Sequence, residues 1–191
     1  MTNIAIFASG SGTNAEAIMN HFSDSSCGRV ALLLSNREDA YALRRAERFG
    51  VPTAVFSREE FRDPNGKVAS LLGEYHIDFI VLAGFLWLVP RYLTETYAGR
   101  IVNIHPALLP KFGGKGMYGA HVHEAVIAAG EKKSGITIHW VNERYDSGDI
   151  LFQATVPVDA DDTPDTLAAK IHVLEHRHFP AVIERTIRNL R

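Results

Sequence analysis

Short apolar runs alternate with helical stretches through the first hundred residues of this chain. Runs of strand length lie at 3–8, 30–34, 52–56, 79–83 and 101–104. Segments with helical spacing lie between them at 15–21, 39–49, 58–75 and 91–98, and a turn signal at 63–66 interrupts the third. Strands that alternate with helices in this way predict an open, mostly parallel, doubly wound α/β sheet.

The last third of the chain has a different pattern. Residues 135–141 alternate between apolar and polar side chains, and a second strand is predicted at 149–158. Together they predict a hairpin that gives the sheet an antiparallel C-terminal edge. Two helices are also predicted, at 120–129 and from Thr163 to about Leu190 with a bend near Pro180. No internal repeat or linker is evident, so we expect a single domain.

Composition restricts the classes of protein to which the chain can belong. Hydrophobic residues make up 46% and charged residues 22%, and the formal net charge of −2 argues against broad electrostatic binding to nucleic acid. The single cysteine, Cys27, permits no internal disulfide, which suits a reducing compartment. We see neither an export signal nor an apolar run of membrane-spanning length. We therefore expect a cytoplasmic protein with no membrane partner and no nucleic-acid partner.

A glycine-rich turn, Ser9-Gly-Ser-Gly-Thr-Asn14, joins the first predicted strand to the first helix. Its two glycines let the free N–H groups at the helix start approach an anion, and Thr13 and Asn14 add side-chain donors that can cap the helix. A dinucleotide site would need an acid at the end of the second strand, where the chain has Ser35-Asn36-Arg37. A single phosphate group is therefore the favoured ligand, and a tight turn without a ligand is the alternative.

Asn103 and His105 lie two positions apart at the end of the fifth predicted strand, so their side chains point to the same side. Pro106 and Pro110 stiffen the loop that follows. A core strand with a capping histidine is one interpretation. The carboxyl end of this strand, however, shares a sheet edge with the glycine-rich turn, and ligands of open α/β sheets bind at that edge. The shared edge favours a functional site.

These side chains favour a reaction in which the substrate supplies the nucleophile. A histidine moves protons near neutral pH, and a neutral amide can hydrogen-bond an oxyanion. Asp146, in the loop at 142–148, is a carboxylate that would raise the pKa of a nearby histidine. No serine or cysteine is an obvious nucleophile.

Four stretches together resemble the motifs of the phosphoribosylglycinamide formyltransferases of purine biosynthesis: Ser9-Gly-Ser-Gly-Thr-Asn14, Val81-Leu-Ala-Gly-Phe85, Val102-Asn-Ile-His-Pro-Ala-Leu-Leu-Pro110 and Asp146-Ser-Gly-Asp149. The resemblance implies transfer of a formyl group from 10-formyltetrahydrofolate, the co-substrate, to the amino group of glycinamide ribonucleotide. It also implies one domain of Rossmann-like formyltransferase fold over 1–191. A phosphate-binding half would span about 1–100, and a catalytic and folate half about 101–191. Small-molecule substrates and a monomer or weak homodimer are the expected partners.

The resemblance also implies roles for individual residues. His105 would be the general acid that polarises the formyl oxygen, Asn103 would hydrogen-bond the same oxygen, and Asp146 would hold His105 protonated. The substrate phosphate and ribose would contact Gly12, Thr13, Asn14 and Glu175. The folate would contact Arg58, Leu86, Trp87, Leu88, Val89, Asn103, Val141 and Glu143. The segment 111–121 is longer than the usual link in this family, and Trp87 stands where an arginine is common.

The remaining histidines do not predict a metal site. His121 and His123 are two apart and so do not share a helix face, and only His172 and His176 in the last helix have ligand spacing. His139 is expected to pack or to support the site. Two other functions remain open, a hydrolase that releases formate from formyltetrahydrofolate and a non-catalytic nucleotide-binding module. A relative acting on initiator tRNA would need a basic surface and an extra domain.

Overall fold

A computed structural model describes residues 1–190, and within that range it contains seven strands and seven helices. The strands are β1 (Thr2–Phe7), β2 (Gly28–Ser35), β3 (Thr53–Val55), β4 (Phe79–Leu82), β5 (Ile101–His105), β6 (Lys133–Trp140) and β7 (Ile150–Pro157). The helices are α1 (Thr13–Phe22), α2 (Tyr41–Arg48), α3 (Arg58–Arg62), α4 (Lys67–Glu74), α5 (Arg91–Thr96), α6 (Ala120–Ala128) and α7 (Pro164–Asn189).

The strands form one sheet in the order β3-β2-β1-β4-β5-β6-β7. The first five strands pair in parallel, while β6 pairs antiparallel with β5 and β7 pairs antiparallel with β6. The predicted doubly wound sheet and its antiparallel edge hairpin are confirmed. The chain reverses its direction of winding between β1 and β4, and this switch point leaves a crevice at the carboxyl ends of those strands.

Helices cover both faces of the sheet, and alternate residues of β1 pack into the two layers. Ile4 and Ile6 belong to a core with α1 and α7, whereas Ala5 and Phe7 belong to a second core with α3, α4 and α5. A strand buried on both faces explains why β1 is apolar at successive positions rather than at alternate ones.

Some local predictions are confirmed and one is wrong. Thr163 caps α7 through a reciprocal pair of hydrogen bonds with Thr166, and α7 continues through Pro180. The predicted side-chain cap of α1 is wrong, because the N-cap position is Gly12 and no side chain caps the helix. Asn14 instead turns its amide towards α7. No helix within residues 1–190 combines the length and apolar character needed to cross a membrane.

Candidate active site

A cavity of about 660 Å³ opens at the carboxyl ends of β1, β4 and β5. Its walls are the glycine-rich turn at 9–14, the loop at 84–89 after β4, the end of β5, the loop at 114–119 and the loop at 141–146. His123 on α6 and His172 and Glu175 on α7 complete the lining. The fold thus brings two regions far apart in sequence, the turn and the end of β5, into one cleft.

Asn103, His105 and Asp146 meet in the centre of this cavity. His105 Nδ1 lies 3.6 Å from Asp146 Oδ2, and Asn103 Nδ2 lies 3.5 Å from Asp146 Oδ1. Asp146 holds a left-handed backbone conformation with φ of 49°, and its Oδ2 accepts a hydrogen bond of 2.9 Å from the Gly114 N–H. These contacts fix an imidazole, an amide and a carboxylate around one point.

The second nitrogen of His105 is already engaged. Its Nε2 lies 2.7 Å from the carbonyl oxygen of Phe112, which can only accept, so Nε2 carries the proton. Burial lowers the pKa of His105, although the charge of Asp146 and the Phe112 carbonyl partly oppose this shift. The ring is therefore neutral at pH 7, with an unprotonated Nδ1 facing Asp146. The charge of Asp146 acts in the direction of protonated His105, and the role of Asp146 in holding that proton stays a prediction.

Asp146 stays ionised despite its burial. Burial alone would raise the pKa of its carboxyl, but a hydrogen bond with His139, the charge of His105 and the Gly114 N–H together bring the pKa below its ordinary value. His139 Nδ1 lies 2.8 Å from the Trp140 carbonyl oxygen, which can only accept, so Nδ1 carries a proton. His139 Nε2 lies 3.5 Å from Asp146 Oδ1 and 3.2 Å from Asn103 Nδ2. His139 thus supports the site, as expected.

Side chains on β6 and β7 hydrogen-bond the backbone of the loop that follows His105. Thr137 on β6, which is fully buried, donates from Oγ1 to the Ala107 carbonyl at 2.7 Å and accepts from the Leu109 N–H at 3.0 Å. Gln153 on β7 donates from Nε2 to Thr137 Oγ1 at 2.9 Å and to the Leu109 carbonyl at 3.1 Å. The sequence did not predict this pair of side chains. Thr137, a polar residue within the alternating pattern of β6, is a weak signal for it.

The glycine-rich turn forms one end of the cavity. Gly12 has φ of 74°, and its Cα lies so close to α2 that a Cβ there would come within 2.5 Å of Ala42. Asn14 Nδ2 donates to Glu175 Oε2 at 3.0 Å, and burial raises the pKa of Glu175 while this bond opposes the rise. The turn therefore keeps its backbone N–H groups, rather than the Asn14 amide, available to an anion.

Ser9 connects this turn to the loop after β4. Its Oγ donates to Asn36 Oδ1 at 2.6 Å and accepts from the Leu86 N–H at 3.1 Å. Asn36 is at the end of β2, where a dinucleotide site would place its ribose-binding acid. An asparagine bonded to Ser9 thus stands where a dinucleotide site would have its acid, and a single phosphate stays the predicted ligand of the turn.

The other end of the cavity is apolar and aromatic. Five of the residues expected to contact folate line this end of the cavity: Leu86, Trp87, Leu88, Val89 and Val141. Arg58 lies outside this lining, with its guanidinium carbon 4.7 Å from the centre of the Trp87 ring. Glu143 also lies outside it and pairs with Arg91 at 3.5 Å.

Within residues 1–190, no three His, Cys, Asp or Glu side chains are arranged to hold a metal ion.

Comparison with known proteins gives a consistent picture. The model of a family described as formyl transferase matches residues 2–183. The chain is 43% identical over 185 residues to the chloroplastic phosphoribosylglycinamide formyltransferase of Arabidopsis thaliana, covering 94% of this chain but only 63% of that protein. It is 37% identical to the phosphoribosylglycinamide formyltransferase of Haemophilus influenzae, covering 96% of this chain and 86% of that protein.

Solved structures agree with these relatives. The crystal structure of phosphoribosylglycinamide formyltransferase from Bacillus halodurans superposes with a TM-score of 0.87 at 38% identity, covering 100% of this chain and 97% of that one. The corresponding structure from Anaplasma phagocytophilum gives a TM-score of 0.90 at 33% identity, covering 98% of this chain and 87% of that one.

Proposed function

This chain belongs to the formyl transferase family, and from that premise we propose that it transfers the formyl group of 10-formyltetrahydrofolate to the amino group of glycinamide ribonucleotide, a step of purine biosynthesis. The observation that carries the proposal is the single cavity that joins the glycine-rich turn, the Asn103, His105 and Asp146 centre, and an apolar end. A transferase needs all three parts at once, because both substrates must be bound when the amine attacks.

The lining of the cavity suggests how the two substrates lie. The phosphate would bind the backbone N–H groups of Gly12, Thr13 and Asn14 at the start of α1. The ribose would lie beside Glu175, which places the amine near His105. The pterin ring of the folate would bind between the 86–89 loop and Val141. The remainder of the folate would extend to the rim of the cavity and contact Arg58 and Glu143 there. The formyl carbon would then reach the centre from the opposite side.

The reaction forms one C–N bond and breaks another. The substrate amine attacks the formyl carbon, and the carbonyl oxygen becomes the oxyanion of a tetrahedral intermediate. The Asn103 amide donates a hydrogen bond to this oxygen. The bond between the formyl carbon and N10 of the folate then breaks, and the proton lost by the amine is delivered to N10. His105 and the ionised Asp146 move this proton, through water where needed.

The contact between His105 and Phe112 adds a requirement to this scheme. The Nε2 proton that would polarise the formyl oxygen is donated to the Phe112 carbonyl in the structure. The formyl oxygen must therefore replace that carbonyl, which is part of the glycine-rich segment at 111–119. As charge develops on the oxygen, protonation at Nδ1 becomes favourable, because the new proton points at Asp146 3.6 Å away.

A coupled assay tests the function directly. The protein is mixed with 10-formyltetrahydrofolate, with and without glycinamide ribonucleotide, and folate absorbance is followed. Turnover that requires the ribonucleotide is expected. Turnover without an acceptor would identify a formyltetrahydrofolate hydrolase instead, and no turnover from folded protein would favour a nucleotide-binding module. We also propose that the reaction takes place in the cytoplasm. The enzyme is proposed to be a monomer or a weak homodimer, and light scattering measures its molar mass in solution.

Replacing Asn14 by Asp should weaken ribonucleotide binding at least tenfold and leave folate binding within about twofold. The new carboxylate would lie about 3.0 Å from Glu175 Oε2 and next to the substrate phosphate, so it repels both. Titration calorimetry with each ligand measures the two dissociation constants. Equal losses for both ligands would place the phosphate elsewhere in the cavity.

A further inference from the structure

His123 is a buried imidazole without a partner. The residue is 4% exposed on the inner side of α6, its Nδ1 is shielded from solvent, and no residue in the described range 1–190 forms a hydrogen bond with its ring. A buried polar group left unpaired costs about 1–3 kcal/mol of stability, so proteins rarely keep one without a reason.

The position of His123 suggests that a ligand supplies the missing partner. His123 lines the active-site cavity together with His105, His172 and Glu175. Asn14 Oδ1 is a second shielded polar atom without a partner in the lining of the same cavity. Two unpaired polar atoms thus line the cavity that also holds Glu175 and His105.

The chemistry of the ring narrows the class of ligand. Burial lowers the pKa of His123, and the neighbouring imidazoles of His172 and His105 lower it further, so the ring is neutral at pH 7. A neutral imidazole offers one donor and one acceptor, which suits an uncharged polar group better than an anion. In glycinamide ribonucleotide, the group between the ribose and the amine is a secondary amide, with one N–H and one carbonyl.

We propose that His123 hydrogen-bonds this amide and thereby selects the glycinamide compound over other phosphoribosyl compounds. The inference rests on the proposed function, since the amide reaches His123 only if the ribose lies at Glu175 and the amine at His105. His123 is then a substrate-binding residue that recognises the part of the substrate between the phosphate anchor and the reacting atom.

Titration calorimetry without folate tests the proposal. Glycinamide ribonucleotide and ribose 5-phosphate are titrated into wild-type protein, His123→Leu and the matched control His121→Leu, whose side chain is 62% exposed on the first turn of α6. His123→Leu should bind the glycinamide compound about tenfold more weakly and ribose 5-phosphate unchanged, because only the first ligand carries the amide. His121→Leu should bind both as wild type does.

Thermal melting separates this role from a structural one. Leucine removes an unpaired buried polar group, so His123→Leu should unfold at the same temperature as wild type or higher. His123→Gln keeps a donor and an acceptor, should lose less affinity than His123→Leu, and serves as the test if the leucine variant does not fold. Unchanged affinity for the glycinamide compound, or equal losses for both ligands, would overturn the inference alone. Wild-type protein that binds ribose 5-phosphate but not the glycinamide compound would overturn the proposed function as well.

Discussion

Replacement of His105 by alanine should lower kcat for formyl transfer by about 10³-fold, within the range typical of a lost general acid–base group. The side chain is 3% exposed at the centre of the cavity, and it is the group beside Asp146 best placed to move a proton between the amine and the folate nitrogen. Steady-state rates from folate absorbance measure the loss. Dissociation constants for both substrates should change by less than about threefold, because neither the phosphate turn nor the apolar end is altered.

Two further variants sharpen this test. His105→Gln can still donate to the Phe112 carbonyl but cannot take up a proton, so it should be as slow as His105→Ala. Asp146→Asn keeps the size of the side chain and removes its charge, and it should also be slow. Because the two residues act as one unit, the double variant should be no slower than His105→Ala alone. Full activity in any of the three would contradict the roles assigned here.

Replacement of Gly12 by alanine should lower the free energy of unfolding by about 2–5 kcal/mol and weaken phosphate binding by more than about tenfold. The left-handed backbone, with φ of 74°, costs about 1–2 kcal/mol for a residue with a Cβ. Overlap of that Cβ with Ala42, at 2.5 Å, adds about 1–3 kcal/mol unless the turn moves away from α2. Movement of the turn would misdirect the N–H groups at the start of α1. Urea unfolding and titration with ribose 5-phosphate measure the two effects.

Gly10 supplies the matched control within the same turn. A Cβ at this position meets no atom within 4 Å, so Gly10→Ala should leave the free energy of unfolding within about 0.5 kcal/mol of wild type. Equal free energies of unfolding for Gly12→Ala and Gly10→Ala would show that the close contact between Gly12 and Ala42 does not determine the conformation of the turn.

The sheet and part of the site follow from local rules in the sequence. Successive apolar positions in β1 predicted a strand buried on both faces, and alternation in β6 predicted an edge hairpin. The spacing of Asn103 and His105 predicted a shared side, and both residues do line the cavity. Such patterns are readable because each depends on residues only a few positions apart.

Other parts of the site depend on contacts that no local pattern contains. The Phe112 carbonyl that binds His105 belongs to the backbone, and every residue type offers the same carbonyl. The low pKa of His105 depends on how deeply β5 is buried, which the neighbouring elements decide. The distance between Asp146 and His105 joins the end of β5 to a loop 41 positions later (146 − 105) in the chain. Asn14 was expected to cap α1, but Glu175, 161 positions away, provides its amide with a partner.

The Ser9 hydroxyl joins the two ends of the cavity. It donates to Asn36 and accepts from Leu86, so one oxygen connects the turn after β1 with the loop after β4. A ligand that shifts either segment changes the free energy of this chain of hydrogen bonds. This single oxygen thus gives the crossover of the sheet a direct hydrogen-bonded connection between the two halves of the cleft. Any coupling of ligand affinities that this connection transmits has the same magnitude in both directions.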